Sequence, residues 1–286
     1  MNLILVGNND GPLVLYQSLK EKGLEPVAIG LQKEPTGELR KAYMELPKDI
    51  VYFSGFDESR LLQNLQGIQI DLVINCFCNF KFIKLLEKYT VLNVHLSKLP
   101  AYRGRHPLHW ALINGEKEIG VSIHEMTEMF DAGIIYWQKS MNIDEGLSVA
   151  DVRFSLMELL ANDFGNFIQD YKKGTLRIKK NKKEEASYIS RRFPRDSKLA
   201  EWENRDLIYR KVMALRSETN PAFLQIGNDE ILVLSAEKVT SQSTTPGTII
   251  RVLVDGLEIA GKLGNNIILR YFKPTSYNFK ENQQLL

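Results

Sequence analysis

Five short apolar runs, NLILV (2–6), PVAIG (26–30), DIVYFSG (49–55), IDLVINCF (70–77) and VLNVH (91–95), punctuate the first 95 residues of the chain. Runs of this length that are continuously apolar suit strands buried on both faces, and covering both faces requires helices on each side of a parallel sheet. Between the first two runs, Leu13, Val14, Tyr16 and Leu19 recur at helical spacing over 12–22, with Gly23 placed as a C-cap. A β–loop–α–β start predicts an α/β chain with a Rossmann-like, doubly wound, mostly parallel sheet. The first turn, GNNDG, holds Gly7 and Gly11 without the GxGxxG spacing, so a tight turn is expected there rather than a dinucleotide site.

Further along, residues 31–48 read as a surface segment with a short helix, and 58–66 as a helix. IDLVINCF is the most apolar strand and is expected at the sheet centre, followed by an amphipathic helix over NFKFIKLLEKY (79–89). Pro107 and Gly115 bracket a short helix, PLHWALING. EIGVSIHEM and GIIYWQKSMNI form an expected strand pair around the loop TEMFDAG, and 144–174 an amphipathic helix long enough to cover a sheet face. Composition then shifts to the Lys/Arg-rich stretch 172–198, read as an arm, before a helix over 199–215. From about 219, AFLQIG, EILVLSAEKV, GTIIRVL, GLEIAGK and NIILRYF predict a small all-β barrel (OB-like) or sandwich. Three parts are expected: an N-terminal catalytic domain at 1–180, a basic linker arm and helix at 181–215, and the C-terminal β-barrel domain at 216–286.

A chain of 286 residues buries enough surface to fold without disulfides or metal. Its net charge of +2 is too balanced to argue for a nucleic-acid binder. Cys76 and Cys78 face opposite sides of one strand, where a disulfide would be strained, so they are expected to be free thiols in a reducing compartment. MNLILVGNND, a short apolar run with no basic residues before it, is expected to be a strand rather than a secretory leader. No apolar run reaches about 20 residues, and the expected location is the cytoplasm, away from any membrane.

Chemistry concentrates between residues 93 and 131. Asn93 and His95, two apart at a strand end, project to one face just before a loop broken by Pro100, Gly104 and Pro107. All four histidines, His95, His106, His109 and His124, fall in this window. A zinc site is disfavoured because Pro107 separates His106 from His109 and no cysteine or acidic cluster completes the ligand set. Ser97 follows His95 by two, but nothing like GxSxG surrounds it. An imidazole that relays a proton, a carboxylate that orients it and an amide donor for an oxyanion make Asn93, His95 and Asp131 a candidate set for attack on a carbonyl. Taken singly, an aspartate before Ala-Gly is an ordinary turn former and a strand-end histidine an ordinary hydrogen-bonded one, so spacing leaves the choice open.

The stretch LNVHLSKLPAYRGRHPLHWALINGEKEIGVSIHEMTEMFDAGIIY resembles the signature of formyltransferases that use 10-formyltetrahydrofolate: Asn-x-His, Leu-Pro-x-Tyr-Arg-Gly, a Trp, Gly-Glu, Gly-Val-(Ser/Thr)-x-His and Asp-x-Gly, in that order. The resemblance places Asn93, His95 and Asp131 on the family's catalytic triad, and implies N10-formyltetrahydrofolate as co-substrate with no metal. It sets the folate against Phe77, Cys78, Asn79, Phe80 and the segment reaching Asp131, largely through backbone contacts. ASYISRRFPRDSKLAEW and the strands after it are similar to the arm and C-terminal barrel shared by methionyl-tRNA formyltransferases and amino-sugar N-formyltransferases. YRGRHPLHW and RRFPRDS look most like the sugar-modifying members, and GNNDGP lacks the longer loop usual in tRNA enzymes. The expected acceptor is therefore the primary amine of a dTDP- or UDP-linked amino deoxysugar, in surface-glycan (polysaccharide) biosynthesis. Asn8, Arg103, Arg105, His106, Trp110, Arg191 and Arg192 are the candidates for binding it, Arg105 as a fork donor to phosphate or sugar oxygens. Alternatives are methionyl-tRNA as acceptor, with Lys179–Lys183 as the tRNA contact, and a non-catalytic folate or nucleotide-sugar binding protein. The family likeness also implies a homodimer.

Overall fold

The computed structural model describes residues 1–271 and 277–285. The chain forms two compact units that alternate along the sequence. One contains Met1–Gly104, Gly120–Met141 and Phe154–Tyr188; the other contains Arg105–Ile119, Asn142–Arg153 and the chain from Ile189 on. This differs from a division into contiguous segments: residue 180 falls inside the first unit, and two early pieces belong with the C-terminal part.

In chain order the elements are β1 (Leu3–Gly7), α1 (Gly11–Lys20), β2 (Ala28–Leu31), α2 (Gly37–Met44), β3 (Val51–Ser54), α3 (Glu58–Asn64), β4 (Leu72–Cys76), β5 (Val91–His95), β6 (Arg103–Gly104), α4 (Pro107–Asn114), β7 (Glu118–Glu125), β8 (Ile135–Asn142) and α5 (Val149–Lys173). After these come β9 (Tyr188–Ile189), α6 (Arg205–Leu215), β10 (Ala222–Ile226), β11 (Asp229–Thr240), β12 (Ile249–Leu253), β13 (Gly256–Ile259) and β14 (Asn265–Tyr271). The main sheet runs β3-β2-β1-β4-β5-β7-β8, parallel from β3 to β5 and antiparallel between β5 and β7. Every residue of β1, β2 and β4 is buried, as their continuous apolar runs require. Along α5, Val152, Leu156, Leu160, Phe164 and Ile168 form its buried stripe.

Strand order reverses between β1 and β4, and in open α/β sheets ligands bind beyond the carboxyl ends of strands at such a switch point. Gly7 ends β1 there, and a Cβ on it would lie 2.1 Å from the Cys76 carbonyl oxygen. Close backbone approach of β1 to β4 thus accounts for this glycine, in keeping with a tight turn.

The helix expected over 79–89 does not form; the segment turns irregularly between β4 and β5. Glu58 Oε1 accepts the backbone N–H groups of Ile83 (2.6 Å) and Leu85 (3.0 Å), while Phe80 and Phe82 pack edge-to-face with one another (5.0 Å between centroids). A carboxylate that captures backbone donors and a tight aromatic cluster outweigh the helical period. The helix expected from 199 begins only at Arg205, because Leu199 donates its N–H to Phe223 O instead (2.9 Å) and Asn204 caps Leu207 N–H (3.0 Å).

The second unit carries a five-stranded antiparallel sheet, β10-β11-β14-β13-β12. Its core gathers Val233, Ile249, Leu257, Ile259, Ile267 and Leu269 under Trp202, Ile208 and Val212 of the preceding segment and α6. Phe272, the last residue of the expected final strand, lies outside the described residues.

Candidate active site

Pairing across the main sheet puts three polar side chains in one row. Asn75 of β4 lies opposite Asn93 of β5, and Asn93 lies opposite His124 of β7. Paired residues share a face, so all three project together. Two residues on, at the end of β5, His95 joins them. Asp131 enters from the β7–β8 loop in a left-handed conformation (φ 50°) that turns its carboxylate back onto the row.

Around Asp131 the contacts converge. Its Oδ1 lies 3.2 Å from His124 Nε2, 3.5 Å from Asn93 Nδ2 and 3.6 Å from His95 Nδ1. Its Oδ2 accepts the Gly104 N–H at 2.8 Å. Although burial opposes its charge, the two imidazoles and this amide hold its pKa down at about 2, so it is an anion at neutral pH.

The tautomer of His95 follows from its partners. Nε2 lies 2.8 Å from the Tyr102 carbonyl, which can only accept, so Nε2 carries a hydrogen. Nδ1 is left to take a proton, and it faces Asp131. Burial lowers the His95 pKa below the ordinary histidine value, against the pull of Asp131 in the other direction. The ring is therefore neutral at pH 7, with Nδ1 as its free base and an anion beside it to stabilise the charged form as it develops. His124 donates from Nδ1 to the Glu125 carbonyl (2.8 Å), directing Nε2 at Asn93 Nδ2 (3.1 Å) and Asp131.

Asparagine side chains brace the surrounding loops. Asn181 Nδ2 donates to the carbonyls of Asp131 (2.8 Å) and Gly133 (3.0 Å), while its Oδ1 and backbone O accept from Arg103 (2.5 and 3.0 Å). Arg103 is only 1% exposed and its other guanidinium nitrogen binds Tyr188 Oη (2.7 Å), so a ligand would reach it only by displacing these partners. Asn8, also buried, donates to Gln32 Oε1 (2.6 Å) and to the Phe77 carbonyl (3.0 Å), supporting the segment after β4. In that segment Phe77 has φ 77°, Asn79 is exposed and Phe80 half-buried. Beside Asp131, Met129 and Phe130 are more than half exposed, and Lys81 Nζ sits 5.6 Å from the Phe130 ring centroid. The segments 77–81 and 126–131 thus meet, offering apolar walls and backbone groups suited to a flat heteroaromatic ligand. The Cys78 thiol, its pKa raised by burial, is an inert part of this wall.

The remaining candidates cluster in the second unit. His106, left-handed at φ 64°, precedes α4 and accepts the Arg192 N–H on Nδ1 (3.1 Å). Burial, His109 and the neighbouring arginines push its pKa down to about 4, so it is neutral and presents Nε2–H. Trp110 Nε1 donates to Ser190 O (2.9 Å), and Arg192 is buried on Ser197 Oγ (2.5 Å). Arg105 is exposed, and Arg191 lies over the Phe193 ring at 5.7 Å. The short helix and the end of the arm from Ser190 are therefore one structural group, joined by bonds between side chains and main-chain groups that leave no trace in side-chain spacing.

Sequence reasoning singled out Asn93, His95 and Asp131, which the structure brings together, but gave no role to Asn75, His124 or Asn181. The signal for His124 was its alternation in phase with the inward face of β7; Asn181 was masked by the lysines around it.

A formyl transferase family model matches residues 13–161, and the model of the formyl transferase C-terminal domain matches residues 197–278. The chain belongs to the formyl transferase family: it is an N-formyltransferase that takes its formyl group from formyltetrahydrofolate. It is 26% identical over 272 residues to methionyl-tRNA formyltransferase from Finegoldia magna, covering 93% of this chain and 85% of that protein. Among solved structures, an N-formyltransferase from Helicobacter canadensis in complex with folinic acid and dTDP-3-aminofucose has the same fold (TM-score 0.71, 17% identity, 95% of this chain and 100% of that one). So does HypX from Aquifex aeolicus with tetrahydrofolic acid (TM-score 0.68, 18% identity), of which this chain, covered over 94% of its length, spans 43%.

Proposed function

We propose that the chain formylates the primary amine of a nucleotide-linked (dTDP- or UDP-) amino deoxysugar, a step in building a surface glycan. The observation that carries the formyl-transfer chemistry is the convergence of Asn93, His95 and His124 on the carboxylate of Asp131. Attack of the amine on the formyl carbon builds negative charge on the formyl oxygen and positive charge on nitrogen. The Asn93 NH2 group donates to the first, a contribution of about 10²–10³ in rate. His95 Nδ1 takes the proton released by the second, and the resulting imidazolium is stabilised by Asp131. The proton then passes to N10 as the C–N bond to the folate breaks. Phe77, Cys78, Asn79, Phe80 and the 126–131 loop hold the donor. Arg103 acts from within, through Asn181, in keeping the Asp131 turn in place.

The acceptor assignment is supported by Arg105 and by the neutral donor His106 directly after the Tyr-Arg-Gly turn, groups suited to sugar and phosphate oxygens. Trp110, Arg191 and Arg192 are carried into this proposal with His106, whose Nδ1 is held by the Arg192 N–H, and Asn8 acts by supporting the donor segment. The fold shared with a protein bound to dTDP-3-aminofucose agrees with this choice, while the methionyl-tRNA formyltransferase relatives favour the second reading, a tRNA acceptor. That Cys76 and Cys78 are not disulfide-bonded suits a reducing, cytoplasmic setting. No helix among the described residues is long and apolar enough to cross a membrane. Incubation with formyltetrahydrofolate and a panel of dTDP- and UDP-amino sugars, read by mass spectrometry, tests the proposal. Gain of one formyl group on a sugar amine is expected; an untouched panel with formylated methionyl-tRNA refutes it.

A further inference from the structure

Asn75 takes no part in the bond changes proposed above, yet it decides which end of the Asn93 amide looks into the site. Resting on the oxyanion role given there to Asn93, we infer that Asn75 is a positioning residue that locks the Asn93 amide with its NH2 group toward the reacting carbonyl.

The orientation follows from donor and acceptor logic alone. The Cys78 backbone N–H can only donate, so the Asn75 atom 3.1 Å from it is Oδ1. Asn75 Nδ2 then faces β5 and lies 2.7 Å from Asn93, whose facing atom must accept and is therefore Oδ1. That leaves Asn93 Nδ2 directed at His124 Nε2 (3.1 Å) and Asp131 Oδ1 (3.5 Å). Reversing the Asn93 amide would turn its two hydrogens against the Asn75 NH2 and its oxygen against the Asp131 anion. Asn75 is 3% exposed and held by strand pairing directly opposite Asn93, so neither water nor a rotamer change relaxes the constraint. The lock also begins at a main-chain group of the segment assigned to the donor, joining the donor wall to the oxyanion donor through one side chain.

Asn75→Asp and Asn75→Ala separate this role from simple packing. Aspartate keeps the acceptor for Cys78 N–H but shows Asn93 a second oxygen, which draws the Asn93 amide round. At about pH 8 its kcat should fall about 10²-fold, the scale of a lost oxyanion donor, with the donor KM changed less than about threefold. The deficit relative to wild type should shrink toward about pH 6, because a protonated carboxyl donates to Asn93 as the amide did, and burial favours that protonated form. Alanine frees the Asn93 amide without reversing it, and Asp131 still attracts the NH2, so its kcat should stay within about tenfold of wild type. An alanine variant as impaired as the aspartate variant, or an aspartate deficit that is independent of pH and follows the loss in Tm, overturns the inference. Should the aspartate variant fail to fold, a neutron structure of the wild type decides: deuterons on the Asn93 atom facing His124 support the lock, and deuterons on the atom facing Asn75 overturn it. A wild type that formylates no amine overturns the reading of Asn93 itself, a result distinct from normal turnover in the Asn75 variants.

Discussion

His95 reaches the site with one ring nitrogen committed to the Tyr102 carbonyl and the other beside an anion. This arrangement makes a base of modest strength whose charged form is held in place as it appears. Because burial lowers its pKa, kcat/KM should be flat through neutral pH and fall only below about pH 6.5. In Asp131→Asn the ring loses the group that raises its pKa, so the acid limb should move to lower pH while kcat drops; an unmoved limb would detach His95 from Asp131. Asp131 also links folding to pH. Its folded pKa of about 2 lies below the ordinary carboxylate value, so its contribution of about 2 kcal/mol is present above about pH 4 and lost as pH falls through 2. Urea unfolding of wild type and Asp131→Asn at about pH 6 and pH 2 should show that gap closing on acidification. Asn93→Ala should lose about 10²–10³ in kcat with an unchanged fold by circular dichroism. Asn93 and His95 were legible in the sequence because one short strand carries both, and Asp131 because its motif follows in fixed order. His124 and Asn75 were not, since they meet Asn93 through strand register rather than sequence spacing.

At the level of elements, the basic stretch read as an arm begins as part of the site's frame. Lys179 pairs with Ile135 through two backbone bonds (2.8 and 3.0 Å), and Asn181 then clamps the turn that holds Asp131. Asn181→Ala leaves the Asp131 and Gly133 carbonyls and one Arg103 donor short of partners, at about 1–3 kcal/mol. Both Tm and kcat should fall, whereas Lys180→Ala beside it should change neither; equal effects from the two would show that the clamp is incidental. The strands of the main sheet were legible because double burial writes a continuous apolar run into each. The 79–89 segment misled because its apolar spacing suits a helix while Glu58, twenty-one residues earlier and on another element, takes its backbone donors. Compositional contrast set off the C-terminal strands as a group, but not their order in the sheet.

For the whole molecule, a near-neutral charge of +2 offers no strong field to gather a polyanion, and in the proposed function recognition rests on local groups such as Arg105 and His106. That favours a small anionic acceptor over tRNA, and the two differ enough in size to be set against each other in one vessel. The most direct test supplies limiting formyltetrahydrofolate with a dTDP- or UDP-amino sugar and charged methionyl-tRNA together, and follows formyl incorporation into each. Incorporation into the sugar amine, abolished by Asn93→Ala, is the result expected. Incorporation into methionyl-tRNA, with the sugars left unmodified, would contradict it.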